Sequence, residues 1–359
     1  MIKVFYTWSQ ASEKIFDPGF GTERKWDIPL LEGYLYEFVN NISKKPGSHH
    51  FSGIINPTLI NKIEDWGADA ILVFGWSFKS HLQAIRYFHN RKPVFFRGDS
   101  TLLDKYGGVL RRIIRTLVLK RVYSKVDKAF YVGIANRAYF KKHGLADHQL
   151  VFAPHSVDNK RFAADTVKGL RYTLNIPADK TVFLFAGKFE KKKNPQLLLE
   201  AFINLNDERA YLLMVGNGKL ENELKKQAQQ AAGLIQKRIK FLDFKNQSAM
   251  PGIYKTADVF VLPSRGPEET WGLSVNEAMA SSLAVIVSDK CGCFQDLVQD
   301  NINGFVFPSM NSSKLVEKMK MVLSDKNKIR QMGKASSEII SNLTFMNISL
   351  AIEKEISSI

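Results

Sequence analysis

Short runs rich in branched and aromatic residues alternate along this chain with amphipathic segments of helix length. In the first half the runs Lys3–Trp8, Tyr34–Val39, Ala70–Phe74, Pro93–Phe96, Lys128–Val132 and Gln149–Phe152 read as strands. In the second half Thr181–Ala186, Ala210–Val215, Ile239–Leu242, Val259–Leu262, Ala284–Val287 and Gly304–Phe307 do so, with helices such as Pro195–Leu205 and Leu220–Ala232 between them. That alternation builds parallel sheets covered by helices, so the spacing predicts an α/β protein with two Rossmann-like halves. The stretch from Ala153 to Phe162 breaks the pattern and reads as a crossing loop. It divides the chain into an N-terminal domain, 1–165, and a C-terminal domain, 166–341. The remainder, 342–359, carries its own apolar face and is expected to pack back on the first domain. No fixed-period repeat or low-complexity tract intervenes.

Composition narrows this picture only in places. A chain of 359 residues with 45% hydrophobic content suits two α/β domains and excludes disorder. No apolar run reaches the ~18 residues a membrane span needs, and the N-terminus lacks the pattern of a secretory leader, so a cytoplasmic protein is expected. Cys291 and Cys293 stand one residue apart, a spacing poor for a disulfide and, without nearby histidines, not a zinc site. They read as two small side chains in a Gly-containing loop. The net charge of +16 attracts phosphate, whether of nucleotides, nucleic acid or anionic lipid, and does not choose among them.

Candidate chemistry gathers after the strands of the second half, where loops lead into helix N-termini and phosphate is favoured. After Thr181–Ala186 comes Gly187-Lys188-Phe189-Glu190-Lys191-Lys192-Lys193, where Gly187 permits a tight turn and Lys188 and Lys193 bracket the loop. Two such ammonium groups can offset the charge that grows on a diphosphate as a sugar leaves. Lys191 and Lys192 fit a solvated basic loop instead. After Ala210–Val215 comes Gly216-Asn217-Gly218, a small-residue turn that alone says little. After Val259–Leu262, Glu269 lies in a loop and Glu277, eight positions on, within the following helix. Amides of Trp271, Gly272 and Leu273 at that helix start would receive phosphate oxygens, with Glu277 on ribose hydroxyls and Glu269 on a sugar. The plain alternative is an acidic residue stabilising a helix N-terminus by ~0.5 kcal/mol.

These residues resemble the retaining glycosyltransferases of family 4. Glu269 and Glu277 fit its E-x7-E motif, and Gly187–Lys193 resembles its G-R-x4-K loop with Lys188 in place of arginine. Val215–Gly218 resembles its V-G-x-G turn, Tyr254–Ser264 its Y-x-x-A-D-x-F-V-x-P-S strand, and Asn303-Gly304-Phe305 its N-G-F turn. The resemblance implies a GT-B fold: two Rossmann-like domains with parallel sheets facing across a cleft, the donor nucleotide sugar held by the C-terminal one. It places Lys188 and Lys193 on the diphosphate, Glu277 on the ribose, Glu269 on the donor sugar, and Asp243 and Phe244 at the nucleobase edge. Lysine at 188 keeps the charge of arginine without its bidentate fork. Retention of anomeric configuration is implied, with the leaving diphosphate taking the acceptor proton.

The first half resembles the family less. Asp99 falls nearest a position where many members carry histidine and is expected to face the donor sugar or acceptor hydroxyl, with Arg97 helping to bind the acceptor. The alternative is that Arg97 and Asp99 pair with each other. Gly19, Phe20 and Gly21 lie in a loop suited to closing on an acceptor, or to packing locally. Trp26–Tyr34 looks like a segment of bacterial surface-polysaccharide transferases, whose acceptors are saccharides or lipid-linked saccharides. No Asp-x-Asp pair occurs, which disfavours a metal-dependent site, so neither metal nor cofactor is expected beside the sugar nucleotide.

From Leu102 to Lys128 the basic residues Lys105, Arg111, Arg112, Arg115, Lys120, Arg121, Lys125 and Lys128 face only Asp104 and Asp127. Leu110, Ile113, Ile114, Leu117 and Val118 interleave at helical spacing. Such a helix either rests on an anionic membrane or turns this apolar face to the core. Two other functions share parts of the picture. A nucleic-acid-binding protein would explain the charge, but no recognition motif accompanies it, so no nucleic-acid partner is expected. A sugar-nucleotide epimerase would share the architecture.

Overall fold

The computed structural model describes residues 1–8, 15–17, 22–103, 107–164, 169–267 and 269–359. Two compact units emerge: one of Met1–Ile15, Pro29–Pro154 and Ile348–Ile359, the other of Phe16–Ile28 and His155–Asn347. In the first, strands β1 (Lys3–Tyr6) and β2 (Leu35–Phe38) pair in parallel. Strands β3 (Ile71–Phe74), β4 (Val94–Arg97), β5 (Lys128–Tyr131) and β6 (Leu150–Phe152) form a parallel sheet in chain order. β4 is buried throughout, as a central parallel strand covered on both faces should be. The C-terminal helix Phe345–Ile356 lays Ile348, Ala351 and Ile352 against Phe95, Phe130 and Ala153 of this unit, and Lys128 pairs with Glu355 at 2.8 Å.

The second unit holds β7 (Thr181–Ala186), β8 (Ala210–Val215), β9 (Ile239–Leu242), β10 (Val259–Leu262), β11 (Ala284–Ser288) and β12 (Gly304–Phe307). All run parallel in the order β9-β8-β7-β10-β11-β12. That is the doubly wound order, whose connections reverse between β7 and β10. Strands β7, β10 and β11 are buried at every residue, which explains their unbroken apolar sequences. Pro195 opens the helix Pro195–Leu205, where a missing N–H costs nothing, and Leu198, Ala201, Phe202 and Leu205 give that helix its buried stripe. The expected helix Leu220–Ala232 runs only over Glu221–Gln229, a turn at Gly233 leading to the short helix Leu234–Lys237.

The units part between Pro154 and His155, ahead of Asp165, which lies outside the described residues. Phe162 explains why: its ring stands 5.6 Å from that of Tyr254, and its carbonyl accepts from Ser281 Oγ at 3.2 Å. No helix among the described residues is long and apolar enough to cross a membrane.

One buried group in the first unit carries a pH signature. His143 is 4% exposed, lies edge-on to Tyr139 at 4.5 Å, and its Nδ1 has no hydrogen-bond partner among the described residues. Burial, then the charges of Lys142, Arg115 and Lys120, push its pKa down to about 4. The unfolded chain takes up this proton below its ordinary pKa of 6.5 while the folded chain does not until about 4, so stability falls as pH drops through that window. His143→Gln should flatten this slope, reducing the loss of unfolding free energy between pH 7 and pH 5 by on the order of 2 kcal/mol. Urea titrations at the two pH values check it, and equal slopes in the two proteins would refute it.

Candidate functional site

The second sheet opens where its connections reverse. β7 and β8 pair along their full length, from Thr181 with Ala210 to Ala186 with Val215. β7 and β10 pair only through Phe183 with Val259 and Leu184 with Phe260, so their last two residues part. Lys193, on the loop after β7, and Glu269, on the loop after β10, meet across that parting. Lys193 Nζ donates to Glu269 Oε2 at 2.9 Å, and Ser264 Oγ donates to the same oxygen at 3.3 Å. The two charged side chains are 16% and 8% exposed. Burial by itself would lower the Lys193 pKa, but the charge and hydrogen bond of Glu269 outweigh it and hold the ammonium above its ordinary value.

Main-chain bonds position both partners. Arg265 N–H donates to the Lys192 carbonyl at 2.8 Å, tying the two loops together. Gly292 and Cys293 donate to the carbonyls of Glu269 and Trp271, each at 3.1 Å, so the loop after β11 braces the segment that presents Glu269. A Cβ at Gly292 would stand 1.7 Å from the Thr270 oxygen, so the brace closes only on glycine. Cys291 is buried beside it and donates to the Leu262 carbonyl at 3.4 Å. Burial first, then the Glu269 charge, pushes its pKa up to about 12, which leaves an inert thiol filling space. The Lys193 stem crosses Gly187.

Behind this pair, Gly272 in left-handed conformation precedes the helix Leu273–Ala280. Glu277 on that helix accepts from the Tyr254 hydroxyl at 2.7 Å. Burial raises its pKa, with the Tyr254 bond and the charges of Arg161 and Lys193 opposing. Glu277 and Lys193 thus lie near enough for one charge to act on the other. Trp271 is buried, its Nε1–H donating to Asn276 Oδ1 at 2.8 Å, while Asn276 Nδ2 donates to the His155 carbonyl at 2.9 Å. The indole is therefore a brace. Leu273, 44% exposed, starts the helix.

The turn after β8 approaches that after β7 closely: a Cβ at Gly216, whose φ is +138°, would stand 2.1 Å from the Gly187 oxygen. Asn217 then joins three elements. Its Nδ2 donates to Glu221 at 2.9 Å and to Asp243 at 3.2 Å, and its Oδ1 accepts from the Phe244 N–H. Asp243 and Phe244 are so fixed at the end of β9, and Lys188 lies half-buried after β7. The segment 25–27 docks just beyond: Asn246 Nδ2 donates to the Lys25 carbonyl at 2.6 Å, and Ser248 N–H to Asp27 Oδ1 at 3.1 Å.

Ser264, Tyr254, Asn217, Asn276 and the brace at Gly292 were not singled out as site residues from the sequence. Asn217 lies in the small-residue turn Gly216-Asn217-Gly218, Tyr254 and Ser264 bound the motif Tyr254–Ser264, and Cys291-Gly292-Cys293, small residues set one apart, offered a local signal of close packing. In the first unit Arg97 is 8% exposed, and its two terminal nitrogens donate to the carbonyls of Ala153 at 2.8 Å and Pro154 at 3.2 Å. Burial lowers its pKa and the Asp99 charge opposes this. The guanidinium therefore braces the end of β6, with half-buried Asp99 near it. Gly19, Phe20 and Gly21 lie outside the described residues.

Residues 169–338 match the family described as Glycosyl transferases group 1. The lipopolysaccharide 1,2-N-acetylglucosaminetransferase of Salmonella typhimurium is 30% identical over 225 residues, 59% of this chain and 58% of that protein. The UDP-Gal:alpha-D-GlcNAc-diphosphoundecaprenol alpha-1,3-galactosyltransferase of Escherichia coli is 32% identical over 182 residues, 48% of this chain and 45% of that protein. The chain thus spans about half the length of these curated relatives. Among solved structures, Anabaena Alr3699/HepE in complex with UDP superposes with a TM-score of 0.72 at 18% identity, covering 90% of this chain and 86% of that one. The fold class is GT-B, α/β with parallel sheets.

Gly292→Ala should cost about 2 kcal/mol or more, because the loop carrying Glu269 must move to admit the methyl group. Gly47→Ala, where nothing lies within 4 Å of the added carbon, should change stability by less than about 0.5 kcal/mol. Urea midpoints compare the two, and a neutral Gly292→Ala would mean that the loop after β11 does not brace Glu269.

Proposed function

We propose that this chain is a glycosyltransferase moving a hexose-type sugar from a UDP- or GDP-linked donor to a saccharide or lipid-linked saccharide. It would do so with retention of configuration, acting from the cytoplasm in the building of bacterial surface polysaccharide. The observation that carries the reading is the Lys193–Glu269 pair across the parted ends of β7 and β10, with Glu277 behind it. The match of residues 169–338 to the group 1 family supports it, as do the names of the Salmonella and Escherichia relatives. HepE, the structural neighbour, was solved with UDP.

In this reading the donor diphosphate lies against Lys193, Lys188 and the main chain of Trp271, Gly272 and Leu273. The two ammonium groups stabilise the negative charge that develops as the glycosidic bond breaks. Glu269, already fixed through Lys193 and Ser264, accepts from sugar hydroxyls. Glu277 accepts from the ribose, whose hydroxyl donors favour the ionised carboxylate that burial opposes. Asp243 and Phe244, held by Asn217, border the base next to Gly216. The diphosphate itself takes the proton of the attacking hydroxyl. Lysine charge takes the part a metal plays elsewhere, in keeping with the missing Asp-x-Asp pair.

The test is a thermal-shift screen of nucleotide sugars without added metal. At a hundredfold excess over its dissociation constant, the true donor should raise the unfolding midpoint by about 5 °C or more. Glu277→Ala and Lys193→Ala should each abolish the shift. A shift that survives both substitutions would place the nucleotide elsewhere. With donor and acceptor in hand, the product should keep the donor's anomeric configuration by NMR and form undiminished in EDTA. Isomerised donor formed without any acceptor would identify an epimerase instead.

A further inference from the structure

The helix Val109–Tyr123 of the first unit is apolar on two opposite sides. Its inner side consists of Leu119, Val122 and Tyr123, all buried, with the Tyr123 ring against those of Phe96 and Phe140 at 5.5 Å. Leu110, Ile113, Ile114 and Leu117 stand at i, i+3, i+4 and i+7 and so share one stripe. That stripe faces away from the core, with exposures of 71%, 51%, 53% and 63%. Val109 and Val118 beside it are exposed as well. The alternative that turned this set to the core therefore fails: the core positions are taken by a second apolar set on the far side. Four adjacent aliphatic side chains left in water form a patch that a soluble surface seldom keeps without a use.

The charges around the stripe indicate what covers it. The helix carries Arg111, Arg112, Arg115, Lys120 and Arg121 and no acidic residue. Lys120 and Arg121 follow Leu117 by three and four positions, so the stripe runs directly into two exposed cations. Lys142, on the neighbouring helix, joins Arg115 and Lys120 in acting on His143, which adds positive charge to the same region.

We infer that this face docks on a bilayer surface containing anionic lipids. The aliphatic stripe enters the boundary between headgroups and acyl chains, and the long basic side chains reach back to the phosphate level. A nucleic acid would need cations and aromatic platforms where this face is aliphatic. A second copy of the chain would bring a like-charged rim against this one. The inference stands without the transferase reading, since it uses none of the residues of the second unit.

Flotation of the full chain tests it, with phosphatidylcholine vesicles and with vesicles that also contain phosphatidylglycerol. The protein should rise with the anionic vesicles, stay below with the neutral ones, and lose binding as salt increases. Leu110→Ser combined with Leu117→Ser should weaken anionic-vesicle binding at least tenfold and leave the urea midpoint unchanged, because both side chains already face water. Lys120→Glu combined with Arg121→Glu should also remove binding. Absence of flotation with anionic vesicles, or equal binding by the serine variant, overturns the inference. So does light scattering without vesicles that shows a dimer dissolved by the serine substitutions, which would assign the face to a second copy.

Discussion

Lys193 and Glu269 are almost sealed from water at a point where two neighbouring strands have stopped pairing, and the surrounding loops are arranged to keep them there. A carboxylate so placed is tolerable only with its ammonium partner, because removing one member of a buried pair leaves an uncompensated charge. The doubly wound order supplies the opening between β7 and β10, and the loop contacts at Lys192, Arg265 and Gly292 determine which side chains line it. The pair is close to neutral as a unit, so it presents a local dipole rather than a bare charge.

Glu277 shows the complementary situation. Its carboxylate has the Tyr254 hydroxyl as a close donor, and burial still raises its pKa above the ordinary range. A group kept in that condition is relieved by any ligand that brings hydroxyl donors, and under the proposed function the ribose does so. The supporting residues do not reach for ligand. Trp271 and Asn276 spend their side-chain polar atoms on each other and on the main chain, and Asn217 on Glu221, Asp243 and the Phe244 N–H, which holds helix start and turns at fixed places. Preorganised donors of this kind need no rearrangement as charge develops.

Much of this was legible beforehand, for identifiable reasons. The central strands β7, β10 and β11 of the second unit are buried at every residue and read as apolar runs, and β7, β8, β9, β10 and β12 begin and end where the strand-like runs of the sequence do. That Gly187 and Lys193 follow β7, and Glu269 and Glu277 follow β10, was legible because the apolar runs mark where each strand ends. The helix boundary near Gln229 and the unit boundary before His155 were less legible, because packing of distant residues such as Phe162 and Tyr254 decides them.

What the sequence determined by itself was the periodicity: which runs are strands, which segments are helices, and which polar residues follow each strand. Those are local properties, set by side-chain alternation and turn chemistry over a few residues. Pairing across long separations came only with the folded chain. That Lys193 meets Glu269, that Tyr254 serves Glu277, that Arg97 braces Pro154, and that Leu110 and Leu117 face outward all depend on which surfaces the packing consumes. An amphipathic pattern states that a face is apolar, but only the competition for the core decides whether that face is covered.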